Sequence, residues 1–491
     1  MAIRKSLLAA TSLPAFFIAG LGFVAASQLP VHPPSDDHHH HHDHAHHGDD
    51  HAHAHANHDH HAPHTHIRMD YTFRDDAGHD AAPIPAGDGH FWFKGNLHTH
   101  TLWSDGDQFP EVVTQWYVAH GYHFLALSDH NTLQRGERWL NPATNRFIAS
   151  GGRMEAVDLY LERFGEHWVE TRENNAGEFE VRLKPLDEFR HLFEQAGRFI
   201  LIESEEITEN RHVVHINATN IAEFIAPQTA DTVEETIRLN MDAIVDQSVQ
   251  LGRDILPHLN HPNFQWAVTA EDMIPVENLR FFEVYNGHRG VRNYGDRYHV
   301  DLDRMWDIIL TKRLAEHDLG IVYGLAVDDA HHYEHSTSDV ARPGRGWVMV
   351  RARFLTPQYL IRAMQAGEFY GSTGVTLRSI AVDDDAMEIH IEPEDDVTYT
   401  IRFIGTKRGY DPSSEPVLDA NGNPMNVTRR YDERIGETLL EVEGTHARYE
   451  FTGEEIYVRA HVLSSKLHPN PFVEGEHEQA WVQPVVVAGD F

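Results

Sequence analysis

The stretch GNLHTHTLWSDG, residues 95–106, decides how the fold and the function of this chain are interpreted. His98 and His100 alternate at the end of a short apolar run. Because residues two apart in a β-strand point to the same face, we expect their imidazoles to meet at one point. Asp105 follows in a turn that Ser104 and Gly106 favour, from which it can reach back. Imidazole and carboxylate suit zinc, manganese or iron, so the stretch predicts a metal site; the alternative is two surface histidines and a turn aspartate.

Composition limits the classes of function. The chain has 491 residues, enough for two or three domains, and its hydrophobic content of 41% is ample for a core. Its formal net charge of -36 repels phosphate backbones, so we expect no nucleic-acid partner. The sequence has no cysteine, which excludes disulfides and thiolate ligands. Any metal must therefore be held by His, Asp, Glu or water.

The N-terminus has the pattern of an export signal. Arg4 and Lys5 precede an apolar run over residues 7–26, which ends in small residues before Ser27. This predicts a signal peptide over residues 1–26 and a periplasmic or secreted protein. The alternative is an uncleaved anchor, because the run is nearly long enough to span a bilayer. We find no later apolar run of that kind and expect no stable membrane partner.

A low-complexity segment follows the signal. Residues 32–66 consist mainly of His, Asp and Ala, with almost no large apolar side chains, so residues 27–90 are expected to be disordered. Clustered histidines bind zinc, nickel or copper loosely, and we interpret the segment as a metal-capturing or metal-buffering tail. A solubilising tail and a cloning tag are the alternatives.

From residue 91 onward, apolar strands alternate with amphipathic helices, which indicates an α/β fold. Metal-ligating residue types recur where these strands end. The candidates beyond the first stretch are His130 with Asp129 beside it, Glu205 or Glu206, His212 or His215, His261, and the pair Asp329 and His331. In a parallel α/β barrel the carboxyl ends of the strands meet at one rim, so these residues predict one polynuclear metal site.

Two further regions have their own patterns. Residues 135–180 carry many charges and glycines with one helical stretch near residues 154–164, and we interpret them as an insertion over the mouth of the site. Beyond residue 375 the sequence has short alternating strands and no long helix, which indicates an antiparallel, sandwich-like β-domain. The predicted domains are therefore a barrel over 91–375 and a β-domain over 376–491.

Six motifs in order resemble the PHP (polymerase and histidinol phosphatase) family of metal-dependent phosphoesterases. They are NLHTHTLWSDG at 96–106, LSDHN at 127–131, ESEEIT at 203–208, HINA at 215–218, NHP at 260–262 and VDDAH at 327–331. The resemblance spans about residues 91–375 and is greatest to the exported branch near carbaryl-type hydrolases, which FYGSTG at 369–374 also fits.

The resemblance implies a distorted seven-stranded (β/α) barrel with two or three divalent metal ions, zinc, manganese or iron, at its rim. The residues that match the family's metal ligands are His98, His100, Asp105, His130, Glu206, His215, His261, Asp329 and His331. Glu206 fits better than Glu205, because it directly precedes Ile207 and Thr208, and His215 fits better than His212. Some family members have histidine in the position of Asp105.

The expected function is an exported metal-dependent hydrolase of a small-molecule ester. We expect a phosphomonoesterase or phosphodiesterase that uses hydroxide held between two metal ions, with catalytic roles for Asp105, Glu206 and His331. The first alternative is a carbamate, ester or amide hydrolase on the same site, because the same hydroxide can attack either centre. The second is a non-catalytic metal-binding protein with a His-rich tail. His288, Arg289 and His332 are candidates for the general acid, and the oligomeric state has no signature in the sequence.

Overall fold

A computed structural model describes residues 82–148, 155–333 and 340–488, and all of these belong to one compact unit. The predicted signal peptide and residues 27–81 of the predicted disordered segment lie outside the described residues, so both stay predictions. The end of that segment was predicted too late in the chain, because Ile84–Gly87 already form a strand. Within the described part, no helix has both the length and the apolar character needed to cross a membrane.

Strands and helices alternate in the first part of the described chain. In order they are β1 (Ile84–Gly87), β2 (His90–Asn96), α1 (Pro110–Ala119), β3 (Phe124–Leu127), β4 (Arg138–Leu140), α2 (Glu155–Phe164), β5 (Thr171–Glu173), β6 (Phe179–Leu183), α3 (Leu186–Phe189), β7 (Ile200–Glu209), β8 (Val214–Thr219), α4 (Val233–Leu251), β9 (Leu256–Leu259), α5 (Ala270–Met273), β10 (Phe281–Asn286), α6 (Leu302–Glu316), β11 (Tyr323–Val327), β12 (Trp347–Ala352), α7 (Pro357–Gln365) and β13 (Phe369–Ser372). Short 3-10 turns cover Arg190–Leu192 and Phe264–Trp266.

Only strands occur in the last described part. They are β14 (Leu377–Val382), β15 (Ala386–Ile391), β16 (Tyr399–Lys407), β17 (Ser414–Glu415), β18 (Arg430–Tyr431), β19 (Glu437–Glu443), β20 (His446–Glu450), β21 (Glu455–Leu467) and β22 (His477–Val486).

Seven strands form a distorted barrel, in the order β2–β3–β7–β8–β9–β10–β11. A parallel bridge between Thr99 and Ala330 closes it by joining the chain beyond β2 to the chain beyond β11. Four of the strand pairs are parallel, but β7–β8 and β8–β9 are antiparallel. The predicted distorted seven-stranded α/β barrel is therefore confirmed, although not all of its strands run the same way.

The strands are apolar where they begin. Phe124, Ile202, Leu256 and Leu325 come from four barrel strands and belong to one buried cluster. Each such side chain contributes about 1.5–3 kcal/mol by leaving water. Gly95 makes room for this packing, since a Cβ at that position would lie 2.2 Å from the ring of Phe124. Because the interior near the strand beginnings is apolar, the polar candidate ligands lie at the opposite rim of the barrel.

The insertion forms a small layer of its own beside the first motif. Strands β4, β6 and β5 make a three-stranded antiparallel sheet, which the sequence did not indicate, and α2 matches the predicted helical stretch. Their side chains share a buried cluster with Trp103 and Phe109, and the indole of Trp103 donates to the carbonyl of Lys184. The insertion therefore supports the loop that carries Asp105.

The C-terminal strands are all paired antiparallel, as predicted. One sheet continues from the barrel in the order β13–β22–β21–β16–β19, and a second consists of β14, β15 and β20. Side chains from both sheets, including Met387 and Ile401, form one buried cluster, as in a sandwich. The sheet runs continuously through the predicted boundary at residue 375, and the domain limits stay predictions.

Candidate metal centre

The two histidines of the first motif lie just beyond β2, in an extended segment that the closing bridge holds in place. The amide of His100 donates to Ala330 at 3.1 Å, and the amide of Asp329 donates to the carbonyl of His98 at 3.1 Å. Both imidazoles are fully buried, and their Nε2 atoms lie 3.1 Å apart. The predicted alternation thus brings both rings to one point, although the residues are not part of the strand proper.

Two carboxylates complete this first group. Glu206 Oε2 lies 3.4 Å from His98 Nε2 and 3.2 Å from His100 Nε2. Asp329 Oδ1 lies 3.3 Å from His98 Nε2 and 3.2 Å from His100 Nε2. Four ligands about 2.0–2.1 Å from a tetrahedral ion would be about 3.3 Å apart, so the spacing fits a metal ion.

Glu206 also faces a second group through its other oxygen. Oε1 lies 2.9 Å from His215 Nδ1 and 3.6 Å from His261 Nε2. Oε2 lies 2.8 to 3.4 Å from nitrogens of His130, His100 and His98, yet it is buried without a hydrogen-bond partner. A buried carboxylate oxygen surrounded by imidazole nitrogens but without a hydrogen bond suits a shared cation. Glu206 is therefore placed to bridge two metal ions.

A third group lies at the more open side. Asp105 Oδ2 is 3.4 Å from His130 Nε2, and Asp105 Oδ1 is 3.3 Å from His331 Nε2. The turn carrying Asp105 folds tightly over the first motif, because the amide of Gly106 donates to Thr101 at 3.0 Å. A Cβ at Gly106 would lie 2.7 Å from the backbone of His100, so this approach requires glycine.

All nine predicted ligands thus meet in these three connected groups. Their role as metal ligands stays a prediction, because what the structure provides is their proximity and geometry. One expectation about their placement needs correction. His215 does not lie at the carboxyl end of a parallel strand; β8 runs antiparallel to β7, and His215 is at its beginning. The β7–β8 hairpin brings that beginning to the same rim.

Two of the ligands sit on strained backbone. His261 has a backbone φ of 24° and Asp329 has one of 49°, values that residues other than glycine rarely adopt. Such strain costs on the order of 1–3 kcal/mol and persists where the surroundings fix it. Here the amide of His261 donates to Glu283 Oε2 at 2.8 Å, and that of Asp329 donates to His98.

The pKa values in the candidate metal centre show that its buried carboxylates depend on positive charge nearby. Burial alone would raise the pKa of Glu206, but the imidazoles of His130 and His98 hold this pKa well below its usual range. Burial likewise opposes ionisation of Asp329, and His98 and His100 keep its pKa well below normal. Conversely, burial would lower the pKa of His98, but Asp329, Glu283 and Glu206 raise it well above its usual value. Divalent ions can take the place of these imidazolium charges.

Glu283, in the middle of β10, is a part of the site that the sequence analysis missed. Its carboxylate is fully buried; Oε1 lies 2.6 Å from His98 Nδ1 and 3.2 Å from His258 Nε2. Oε2 accepts from the amide of His261 and, at 2.7 Å, from Asn286 Nδ2. A carboxylate on the second nitrogen of a ligating histidine fixes its tautomer and orientation. The position of an acidic residue inside the apolar run FFEVYN could have indicated that Glu283 belongs to the site.

Other polar side chains hold the ligands from outside. Asn260 donates to Glu206 Oε1 at 2.9 Å, and Asn286 donates to Asp329 Oδ2 at 3.1 Å. The hydroxyl of Thr208 lies 2.6 Å from His130 Nδ1. None of these three was predicted, because an amide or hydroxyl in a strand has no distinctive pattern.

The structure decides between Glu205 and Glu206 and between His212 and His215. Glu205 points away from the group and accepts from the amide of Ile225 at 3.0 Å; burial raises its pKa to about 7. The ring of His212 lies 3.0 Å from the carbonyl of Ala230. Glu206 and His215 are therefore the members that join the site.

Asp129 acts on a predicted histidine ligand indirectly, through the hydroxyl of Ser104, which lies 3.3 Å from His100 Nδ1. Its carboxylate accepts from the amide of Thr101 at 2.8 Å and from the hydroxyl of Ser104 at 2.6 Å. Asp129 thus fastens the loop between His100 and Asp105.

The candidates for the general acid differ in their surroundings. Of the three candidates, His288 lies nearest to the predicted ligand His331, with a distance of 5.2 Å between the two ring centroids. Burial lowers the pKa of His288 to about 3, and its Nδ1 accepts from the amide of Gly290 at 3.0 Å. It is therefore a neutral imidazole with its proton on Nε2. Arg289 donates to the carbonyl of Phe472, and the amide of His332 donates to Ala341.

Comparison with known proteins gives distant structural similarity. No protein-family model matches the chain, and no curated protein matches its sequence. A two-domain protein containing a predicted PHP-like metal-dependent phosphoesterase from Bacteroides vulgatus ATCC 8482 is similar with a TM-score of 0.36 and 13% identity, over 82% of this chain and 97% of that one.

A putative metal-dependent phosphoesterase from Bifidobacterium adolescentis ATCC 15703 is similar with a TM-score of 0.25 and 16% identity, over 50% of this chain and 89% of that one. Both TM-scores are below 0.5, so the assignment of a function rests on the geometry of the candidate metal centre.

Proposed function

We propose that this chain is a metal-dependent hydrolase that cleaves phosphate monoesters or diesters of small molecules. The observation that carries the proposal is the bridging position of Glu206, whose two oxygens face two different sets of imidazoles. Such a carboxylate suits a site with at least two divalent ions held close together. We further propose, from the pattern of residues 1–26, that the protein acts outside the cytoplasm.

The residues present fit such ions. His98, His100, Glu206 and Asp329 would hold one ion, Glu206 with His215 and His261 a second, and Asp105 with His130 and His331 a third. Zinc, manganese and iron accept this mixture of imidazole and carboxylate. Bound divalent ions would supply a water nucleophile that is ionised near neutral pH, and positive charge for the developing negative charge of the transition state.

The chain's own groups would orient the substrate and exclude water. The ring of Phe264 packs 5.1 Å from that of His261 and 6.1 Å from that of His288, which makes one wall beside the ligands apolar. His288 presents a neutral imidazole beside His331 and can donate a hydrogen bond from Nε2 without carrying charge. Three divalent ions would outweigh the three carboxylates of the ligand set together with the ionised Glu283, so a fully loaded centre would attract an anionic phosphate ester.

The proposal is tested with the full chain and its Glu206→Gln variant. We would measure bound metal by elemental analysis and hydrolysis of p-nitrophenyl phosphate, bis-p-nitrophenyl phosphate and naphthyl methylcarbamate, each with and without chelator. We expect chelator-sensitive phosphate release, which the variant loses by more than about 100-fold, since outer partners of ligands alone cost 10–100-fold.

A matched control is His212→Ala, because this histidine lies on the same hairpin but outside the groups. It should keep the activity and the metal content of the wild type. Cleavage of the carbamate alone would replace the phosphoesterase assignment by a carbamate or ester hydrolase. Wild-type activity in the Glu206→Gln variant would refute the bridged metal site altogether.

A further inference from the structure

A second convergence of metal-ligating side chains lies on the outer face of the β14–β15–β20 sheet. Glu388 and His390 are two apart on β15 and share this face, whereas Ile389 between them is buried in the core. His446 on β20 pairs directly opposite His390. The register of two antiparallel strands thus brings two imidazoles and one carboxylate together.

The donor atoms of these three residues meet at one carboxylate oxygen. His390 Nε2 lies 3.1 Å from Glu388 Oε1, and His446 Nε2 lies 2.6 Å from the same atom. The two rings are stacked, with centroids 4.2 Å apart and an interplanar angle of 21°. Both Nε2 atoms therefore approach the oxygen from the same side.

We propose that Glu388, His390 and His446 form a surface site for a divalent transition metal, with zinc as the first choice. Ligand atoms about 2.0–2.1 Å from a tetrahedral zinc ion are about 3.3 Å apart, so small side-chain rotations suffice. The exposed side-chain fractions of 41% for His390 and 49% for His446 leave room for water as a further ligand. An ion bound there would fasten β15 to β20.

The surroundings support one metal at this site. Arg448 Nη1 forms an ion pair at 3.6 Å with Glu388 Oε2, whereas Oε1 faces the imidazoles. On the other side of β15, Ala381 pairs with Glu388 and leaves space above the strand. In the absence of metal both imidazoles donate Nε2–H to Oε1, and on zinc binding each neutral ring would carry its proton on Nδ1 and offer the Nε2 lone pair to the ion.

Glu283 shows why exposure matters to this proposal. It too lies within hydrogen-bond distance of two imidazoles, those of His98 and His258, but all three residues are fully buried. The other nitrogen of His98 faces the candidate metal centre, so Glu283 orients a ligand there. On the β-sheet surface the Nε2 atoms face an open position.

The test is histidine-resolved footprinting of the full chain with diethyl pyrocarbonate, at free zinc concentrations fixed by a chelator buffer. Mass spectrometry of peptides reports His390 and His446 separately from the histidines of residues 32–66. We expect zinc to slow the modification of both residues about ten-fold or more with one common midpoint. Magnesium, which prefers oxygen ligands, should have no effect.

Variants distinguish a shared ion from two independent ones. In His446→Ala the protection of His390 by zinc should disappear, and in Glu388→Gln the midpoint should rise at least about ten-fold. Glu441→Gln changes another exposed strand carboxylate, which pairs with Arg402, and should leave the midpoint unchanged. Protection of His390 that persists in His446→Ala, or zinc without effect on both residues, would overturn the proposal. The rim centre plays no part in this readout, so failure here leaves the proposed function intact.

Discussion

Replacing Glu283 by glutamine probes how the second nitrogen of a ligating histidine controls the candidate metal centre. The change keeps the shape of the side chain and removes its charge. Burial would raise the pKa of Glu283, but His98 and the other nearby imidazoles hold this pKa at about 2. The wild-type residue is therefore ionised at neutral pH, and each of its oxygens faces two donors.

The size of the effect follows from these four contacts. Glutamine has one acceptor oxygen, so it can serve either the imidazoles of His98 and His258 or the donors of His261 and Asn286. In both orientations its amide group faces N–H donors in a fully buried position. Hydrogen bonds to charged groups contribute about 1.5–3 kcal/mol, and we expect metal affinity to fall about 10–100-fold.

The assay is competition for zinc or manganese with a chromophoric chelator, followed by hydrolysis rates over a range of metal concentrations. We expect Glu283→Gln to require more metal for half-maximal activity, with a smaller change in the rate at saturation. Glu205→Gln is the matched control, because it changes a buried carboxylate that is outside the metal groups. Equal metal affinity in Glu283→Gln and wild type, or an equal loss in Glu205→Gln, would refute the positioning role.

Three further predictions concern stability. Arg459→Ala leaves the buried Asp307 without the guanidinium that it contacts at 2.7 Å, and should lower the free energy of unfolding in urea by about 3–5 kcal/mol, whereas the exposed Arg402→Ala should cost less than about 1 kcal/mol. Burial raises the pKa of Glu111, which accepts from the hydroxyl of Tyr160, to about 7. The protonated form of Glu111 therefore contributes its full stabilisation below about pH 4.5, and this stabilisation is lost as the pH rises through 7. Glutamine stays neutral at every pH, so the free energy of unfolding of Glu111→Gln in urea should rise relative to that of the wild type between pH 5 and pH 8. Removing metal with chelator should lower the thermal midpoint, because an ion at 100 times its Kd stabilises the folded state by about 2.7 kcal/mol, and scanning calorimetry with and without metal measures this.

The barrel and its rim could be predicted because burial of charge has strong consequences. A carboxylate such as Glu206 after an apolar run is costly unless it is paired, and the same holds for His215 inside one. Several such residues at the ends of neighbouring strands therefore indicate that their side chains lie together in one site. This reasoning brought the candidate ligands to one rim without knowledge of their distances, whereas the choice of Glu206 over Glu205 and of His215 over His212 followed from the family resemblance.

The direction of β8 could have been predicted and was not. Only four residues, 210–213, separate the end of β7 from the start of β8. A connection this short joins antiparallel neighbours, whereas a parallel pair needs a crossover of a dozen or more residues. The three strands of the insertion were missed for a different reason. Their charged outer residues hide the alternation, and only Val181 and Leu183 of β6 are fully buried.

The hairpin explains why the carboxylate proposed to bridge the metal ions is on β7. Thr208 pairs with His215 across the two strands, and its hydroxyl contacts His130, so one rigid unit carries Glu206 and positions ligands on both sides of it. Asn260 and His215 contact Oε1, whereas Oε2 has no hydrogen-bond partner. The strand pair thus fixes one half of the carboxylate and leaves the other half to a cation. A strand of the opposite direction in the place of β8 would move His215 towards the other end of the barrel, by about three residues or roughly 10 Å, so the antiparallel pairing is what brings His215 to the rim.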